Sequence, residues 1–282
     1  MPSHRRCWAW VPIVLVAGAA QAAPSLRFDG EAAIGHDDNV LNAPKGEDTL
    51  ITPFYSARLA ADATQIVAAP LVIGARLQIE GEEYRDVDRL SNAKGTGLVR
   101  LTYRPDGAFG SPAFTLWGSA SDWRFRSDLR DSHEVRGGLR VDQALTTRVG
   151  LRAEVKAIRR MADNRVFDDD AQSAAIAADW RVHEQVGLRL GYEFVSGEMV
   201  TTARARAIPV EIREATRRDD LYDGNGIAYR IQAHTQIATA GLNWRFAPRW
   251  ALDFETRGAW ADAKWGVDYE RVRGTVSLLA RF

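Results

Sequence analysis

The chain has 282 residues, of which 46% are hydrophobic and 26% charged, and its 37 basic residues balance its 37 acidic residues. This balance leaves no basic excess of the kind that indicates nucleic-acid binding. After residue 22 no apolar run is long enough to cross a bilayer as a helix, which excludes a helical inner-membrane protein. We expect one large domain, residues 23–282.

Residues 1–22 have the parts of an export signal. Arg5 and Arg6 precede an apolar run, and Ala20-Gln21-Ala22 forms a small-residue cleavage motif. An uncleaved anchor helix is the alternative, but about ten apolar residues are too few for a bilayer core about 30 Å thick. The only cysteine, Cys7, lies in this segment, so the predicted mature chain has no disulfide and no cysteine metal ligand.

The mature chain divides into twelve segments in which apolar and polar residues alternate. This period predicts strands with one apolar and one polar face, as in the first segment, where Leu26, Phe28 and Ile34 share a face. In the fifth segment the aromatic residues fall at both odd and even positions, so the alternation does not decide which face is apolar. We expect Asp122 and Arg124 to face inward. The segments are 26–36, 51–62, 71–82, 98–104, 114–125, 134–142, 148–157, 173–182, 186–194, 236–246, 250–260 and 269–282.

The connections between the segments alternate in length. Those after even segments are short or rich in turn formers, whereas those after odd segments are longer and more polar, the longest being 196–229. Short periplasmic turns and long outer loops are typical of transmembrane barrels. Tryptophans near segment ends suit the two membrane interfaces: Trp123, Trp180, Trp244, Trp250, Trp260 and Trp265. A soluble periplasmic sandwich or lipocalin-like barrel is the competing architecture.

The last segment reads YERVRGTVSLLARF and alternates from Val272 to the terminal Phe282. It resembles the C-terminal signature of Gram-negative outer-membrane β-barrels. Together with the count of twelve segments, this resemblance implies an all-β transmembrane, antiparallel, up-and-down barrel of about 12 strands, within a range of about 10 to 14. It also implies an outer-membrane location among lipid and lipopolysaccharide, with Phe282 as the signal for the barrel assembly machinery. A soluble edge strand that ends in Phe is the alternative.

The first segment carries a second, shorter resemblance. Residues 35–40 read GHDDNV and are followed by Asn42-Ala43-Pro44. This stretch is similar to the start of the barrels in surface lipoprotein assembly modifiers and in exopolysaccharide-associated outer-membrane proteins. The modifiers carry a helical repeat domain ahead of the barrel, and here only a few residues separate the predicted signal from the first strand.

The polar faces of the segments predict a lumen with more basic than acidic residues. Arginine forks suit carboxylate or phosphate groups, so the sequence predicts a narrow channel for small anionic solutes. The pore-lining candidates are Arg76, Arg100, Arg104, Arg136, Arg140, Arg152, Arg189, Arg257, Arg271 and Arg273, and other inward basic positions include Arg148, Arg181 and Arg245. Two alternatives stay open: ion pairs that fill a narrow barrel, and a non-conducting structural or export accessory whose loops bind a surface polymer or partner.

The residues that could support catalysis are few, and we predict no enzyme activity, catalytic residue, metal or cofactor. A rim-located lipid hydrolase is a third alternative, for which Ser132 and His133 are the only adjacent Ser-His pair of the predicted mature chain, but neighbours on a strand point to opposite faces. The acidic clusters 37–38, 168–170 and 219–220 could bind divalent cations among lipopolysaccharide head groups, although solvated loop charge is the commoner explanation. The sequence indicates no oligomeric state.

Overall fold

The computed structural model describes residues 23–44, 49–106, 108–204, 216–221, 226–264 and 268–282, so the predicted signal segment lies outside the described residues. Three short 3₁₀ helices, Asp88–Leu90, Asp128–Arg130 and Arg165–Phe167, occupy connections. The strands are β1 (Ser25–Asp37), β2 (Thr52–Ala68), β3 (Leu71–Tyr84), β4 (Asn92–Tyr103), β5 (Ala113–Phe125), β6 (Ser132–Ala144), β7 (Val149–Ala162), β8 (Asp169–Arg181), β9 (Val186–Arg204), β10 (Thr216–Asp219), β11 (Gly226–Ala247), β12 (Trp250–Ala263) and β13 (Tyr269–Arg281).

Twelve of these strands close into an antiparallel, up-and-down barrel. Each strand pairs with its neighbour in sequence, except that β9 pairs with β11, and the ring closes where β1 pairs with β13. At this closure Phe282 donates its amide to the carbonyl of Phe28 at 2.9 Å. The short strand β10 pairs only with the first residues of β11 and lies outside the ring. The predicted barrel class and strand number are confirmed.

The outer surface of the barrel carries the apolar face of every strand. Large apolar side chains there are exposed, and several are more than half exposed, for example Leu26, Leu59, Leu116 and Leu190. Such a surface requires lipid rather than water, because each of these side chains would otherwise expose its full apolar face. It excludes the soluble alternative, in which the apolar faces would meet in one core. Among the described residues, no helix is long and apolar enough to cross a bilayer.

Strand β5 has the opposite orientation to the one predicted. Phe114 and Leu116 face outward, whereas Trp117 points into the barrel. Trp117 stands opposite Gly138 on β6, and a Cβ atom at Gly138 would lie 3.1 Å from the indole ring, so the glycine makes room for it. Asp122 therefore faces outward with the exposed His133 beside it, and the inward placement of Asp122 and Arg124 is wrong.

The tryptophans predicted at the membrane interfaces also divide between the outer surface and the interior of the barrel. Trp180, Trp244 and Trp250 are exposed near the short turns, and Trp260 is exposed towards the long loops, as the interface rule predicts. Trp123 is instead an interior residue, with the ammonium group of Lys94 4.2 Å from its ring centroid. Trp265 lies outside the described residues.

Two strands are much longer than the alternating segments predicted. β9 and β11 pair from Val186 and Trp244 at the short-turn end to Arg204 and Gly226 at the long-loop end. Most of this hairpin extension falls in the stretch predicted as the longest loop. Its end is covered on both faces, because neighbouring residues of both orientations are buried, such as Thr201 and Thr202. The extension therefore packs against other loops at the long-loop end.

Candidate pore and its charged lining

The barrel interior is crossed by ion pairs that join neighbouring strands. The clearest joins Arg100 on β4 to Asp62 on β2, with two hydrogen bonds of 2.7 and 3.0 Å. The arginine side chain reaches over the intervening strand at Gly74, where a Cβ atom would lie 2.6 Å from its Nε. A glycine on β3 thus permits a bidentate pair that spans two strand spacings.

Nine of the ten predicted pore-lining arginines have a carboxylate within ion-pair distance. Each pair lies inside the barrel or at its long-loop end, so these positive charges are largely neutralised. The tenth, Arg104, is exposed beyond the end of β4 and lines a small cavity near residues 108–111. The pairs are Arg76 with Asp29 and Asp62, Arg100 with Asp62, Arg136 with Glu134, Arg140 and Arg152 with Asp142, Arg189 with Asp179, Arg257 with Glu193, Arg271 with Asp37, and Arg273 with Glu82.

The long-loop end of the barrel is covered by loops that fold inward. We call this cover the cap: residues 38–44, residues 216–221, and the 3₁₀ helices Asp88–Leu90 and Asp128–Arg130. An apolar cluster holds the parts together and includes Leu41 and Leu221 from the two segments and Leu90 from the first helix. The cap therefore has an interior of its own, at the end where sequence reasoning predicted solvated loops.

A buried ion pair lies at the centre of the cap. Arg130 donates to Asp219 at 3.0 Å, and both side chains are almost fully buried. Asp219 also accepts hydrogen bonds from the hydroxyl of Thr202 at 2.8 Å and the amide of Leu221 at 3.2 Å. The guanidinium group of Arg130 stacks 4.5 Å from the ring centroid of Phe167. This pair joins the connection after β5 to the segment that precedes β11.

A second acidic residue supports the same contact. Asp220 accepts from Arg89 at 2.7 Å. Burial works to raise the pKa of Asp220, but hydrogen bonds from Ser127 and Arg89 outweigh it and hold this pKa below its ordinary value. The acidic cluster 219–220 thus pairs with arginines rather than standing free in solvent. Among the described residues, no group of three or more His, Cys, Asp or Glu is placed to hold a metal ion.

The first cap segment, residues 38–44, runs from the end of β1 to the free edge of β9. Thr202 donates its amide to the carbonyl of Leu41 at 3.2 Å, and Thr201 donates its hydroxyl to the carbonyl of Asn42 at 2.5 Å. Asn39 holds the segment in shape by bonding the amide and the carbonyl of Ala43. The stretch that resembles lipoprotein-related barrels is therefore part of the cap.

Arg271 and Arg273 both pair with carboxylates towards this end of the barrel, and Arg273 also lines the polar cavity described below. Arg271 donates to the fully buried Asp37 at 3.0 Å. Arg273 pairs with Glu82 and stacks 3.8 Å from the ring centroid of Phe54. Both guanidinium groups therefore have a carboxylate partner where the sequence predicted free pore-lining charge.

A large polar cavity opens at the short-turn end and extends along the lumen as far as Arg273. It has a volume of about 960 Å³ and is lined by eight arginines and five acidic residues. Three of the arginines, Arg148, Arg181 and Arg245, make no ion pair within the part of the chain that the structure describes, and we call them the arginine arc. Their inward parity is visible in the sequence, but their lack of partners depends on contacts between distant strands.

The histidine and serine considered for lipid hydrolysis lie on opposite faces. Ser132 is buried inside the barrel, whereas His133 is exposed outside and 2.9 Å from Asp122. The two neighbours therefore share no site.

Comparison with known proteins identifies the fold. No family model matches the chain, and no curated protein matches it. An outer membrane channel from Pseudomonas putida F1 superposes with a TM-score of 0.59 at 14% sequence identity, covering 94% of this chain and 98% of that one. This chain is an outer-membrane β-barrel. The NanC porin superposes with a TM-score of 0.48 at 7% identity, covering 90% of this chain and 98% of that one. The KdgM porin in complex with disordered oligogalacturonate superposes with a TM-score of 0.47 at 9% identity, covering 90% of this chain and 99% of that one.

Proposed function

We propose that this barrel is a narrow channel for small anionic solutes. The observation that carries the proposal is the arginine arc in the cavity at the short-turn end, which faces the periplasm in barrels of this kind. Arg148, Arg181 and Arg245 present positive charge that no carboxylate neutralises. A water-filled cavity with low-dielectric walls concentrates ions of the opposite charge.

The same cavity also contains five acidic residues, two of which pair with its arginines. Asp179 pairs with Arg189 at 2.9 Å, and Asp253 accepts a hydrogen bond from the side-chain amide of Asn243 at 2.9 Å. Glu184, Asp253 and Glu255 make no ion pair among the described residues, so they balance the arc in number, while Arg257, Arg273 and Arg281 pair with carboxylates outside the lining. The proposal therefore rests on the position of the arc, whose three arginines stand together at the opening of the cavity.

Single-channel recording of the refolded protein tests the proposal. In a salt gradient the reversal potential should indicate anion preference, most strongly at low salt because screening is weaker. Changing Arg148, Arg181 and Arg245 together to Gln should shift the reversal potential towards cations. Absence of conductance, or an ion preference that ignores these three positions, would contradict the proposal.

A matched control removes the same charge elsewhere. Arg124, Arg126 and Arg159 lie on the outer surface at the long-loop end and are exposed. Changing these three to Gln should leave the reversal potential close to wild type, because they do not line the cavity.

The cap supports a second candidate, a non-conducting accessory that binds a surface polymer or partner. Its segments meet in an apolar cluster and a buried ion pair, which is more structure than loops at an open mouth need. The same recording separates the two candidates, because an accessory barrel gives no anion-selective current.

A further inference from the structure

The arginine arc follows the rim of the barrel across neighbouring strands. The amide of Arg181 at the end of β8 donates to the carbonyl of Arg148 at 2.7 Å, and the amide of Arg245 on β11 donates to the carbonyl of Gln185 at 2.8 Å. The three backbones thus span three strand spacings of about 4.8 Å, or about 14 Å along the rim. One carboxylate can contact one or two of these side chains, whereas a ligand with several anionic groups can contact all three.

The arc continues with further basic residues on the same rim. The amide of Arg281 donates to the carbonyl of Arg249 at 3.0 Å, and the two line a second cavity of about 500 Å³ together with Arg245. Arg281 shares its charge with Asp29 at 3.2 Å, so Arg249 adds the next guanidinium group with no ion pair among the described residues. The rim therefore offers spaced positive charges rather than one isolated site.

Access to the arc lies on the periplasmic side. Ala144, residues 146–150 and residues 183–189, which form and flank two of the short turns, line the cavity, so it opens at that end of the barrel. At the other end the described parts of the cap cover the lumen through the Arg130–Asp219 pair and the apolar cluster. A ligand that arrives from the periplasm reaches the arc without displacing any cap contact.

We propose that the arginine arc is a binding site for solutes that carry two or more carboxylate or phosphate groups, and that these solutes reach it from the periplasm. This inference deepens the proposed function and rests on it. Paired guanidinium groups bind such ligands through charge-assisted hydrogen bonds, and each added anionic group engages another arginine without the entropic cost of a second association.

Titration calorimetry with citrate tests the site in the refolded full-length mature chain, with acetate at matched ionic strength as the single-charge comparison. Citrate should bind and acetate should bind far more weakly. The Arg148→Gln, Arg181→Gln, Arg245→Gln variant should bind citrate at least about tenfold more weakly. The outer-surface variant Arg124→Gln, Arg126→Gln, Arg159→Gln has the same change in charge and should bind citrate as wild type does. Heat-modifiable gel mobility reports whether each variant is folded.

A second measurement tests the direction of access. The predicted mature chain has no cysteine, so Thr147→Cys at the periplasmic opening and Asp88→Cys on the cap can each carry a bulky maleimide-polyethylene glycol. The adduct at residue 147 should slow citrate association, and the adduct at residue 88 should leave it unchanged. The reverse result would overturn the assigned direction.

The outcomes separate this inference from the proposed function. Anion-selective conductance with no preference for citrate over acetate, or with citrate binding unchanged in the arc variant, overturns the inference alone. Citrate binding that depends on the arc in a barrel that carries no current overturns the proposed channel and leaves the binding site supported.

Discussion

The buried Arg130–Asp219 pair predicts what holds the cap in place. In Asp219→Ala the guanidinium group of Arg130, which is 8% exposed, would keep only its longer contacts of 3.4 Å to Asp220 and to the hydroxyl of Ser127. Thr202 and Leu221 would each lose a hydrogen bond. Breaking a buried pair on one side costs about 3 to 5 kcal/mol. At about 1.4 kcal/mol per factor of ten, the population of opened cap should rise by roughly a hundredfold or more.

Amide hydrogen exchange measures this change directly. Exchange in residues 38–44, 127–131 and 216–221 should accelerate by a similar factor, while exchange in the barrel wall at the short-turn end should stay at the wild-type rate. The control is Asp179→Ala, which removes the same charge from a pair whose side chains are 52% and 42% exposed. Such exposed pairs contribute about 0 to 1 kcal/mol, so the cap should exchange as in wild type.

A double variant sharpens the test. Replacing both partners with apolar residues, Arg130→Met with Asp219→Leu, should restore much of the protection, because an apolar pair leaves no charge buried. The reasoning is refuted if Asp219→Ala leaves cap exchange at the wild-type rate, or if the double variant exchanges faster than the single one.

Three further predictions concern the wall of the barrel. Changing Arg271 and Arg273 to Glu should lower the thermal unfolding temperature, because both arginines pair with carboxylates at the long-loop end. An unchanged unfolding temperature with altered ion selectivity would show instead that the two residues line an open path. Phe282→Ala should lower the yield of folded protein in cells while barely changing the unfolding temperature, since its ring is 63% exposed; an unchanged yield would argue against the assembly signal. Gly35→Val should cost about 1 to 3 kcal/mol in chemical unfolding, because a Cβ atom there would lie 2.1 Å from the facing aromatic ring, whereas Gly95→Ala, with open space around its Cβ, should be close to neutral.

The barrel itself could be predicted because its signal is local. Apolar and polar residues alternate in every segment. Along the membrane-spanning part of each strand this alternation is required, because one face contacts lipid and the other faces the polar interior. Where a strand leaves the membrane that reinforcement ends, which is why β9 and β11 extend ten residues beyond the segments 186–194 and 236–246 at the long-loop end. β4 begins six residues before its predicted segment because Gly95 and Gly97 carry no apolar side chain outward.

The two failures of prediction share a physical cause. The orientation of β5 is set by Trp117, whose ring fits over Gly138 on the next strand, so an aromatic residue that counts as apolar in the alternation lies inside. The cap depends on contacts between residues far apart in the chain, such as Arg130 and Asp219, which are 89 positions apart. Neither contact can be predicted from the residues next to it in sequence, because the partner of each residue depends on how the strands are arranged in the barrel.

The distribution of ion pairs along the barrel axis is the physical basis for proposing different roles for the two ends. A buried charge must be matched, because the cost of removing it from water exceeds what an unpaired group can recover, and at the capped end Asp37 and Asp219 are both fully buried and both paired. At the periplasmic end water reaches the side chains, so Arg148 can stand without a partner at little cost. An anion that arrives there gains attraction without breaking an existing pair, whereas an anion at the capped end would have to displace a carboxylate held at a cost of several kcal/mol. Under the proposed function, the unmatched arginines select the periplasmic end as the entrance and an anion as the solute.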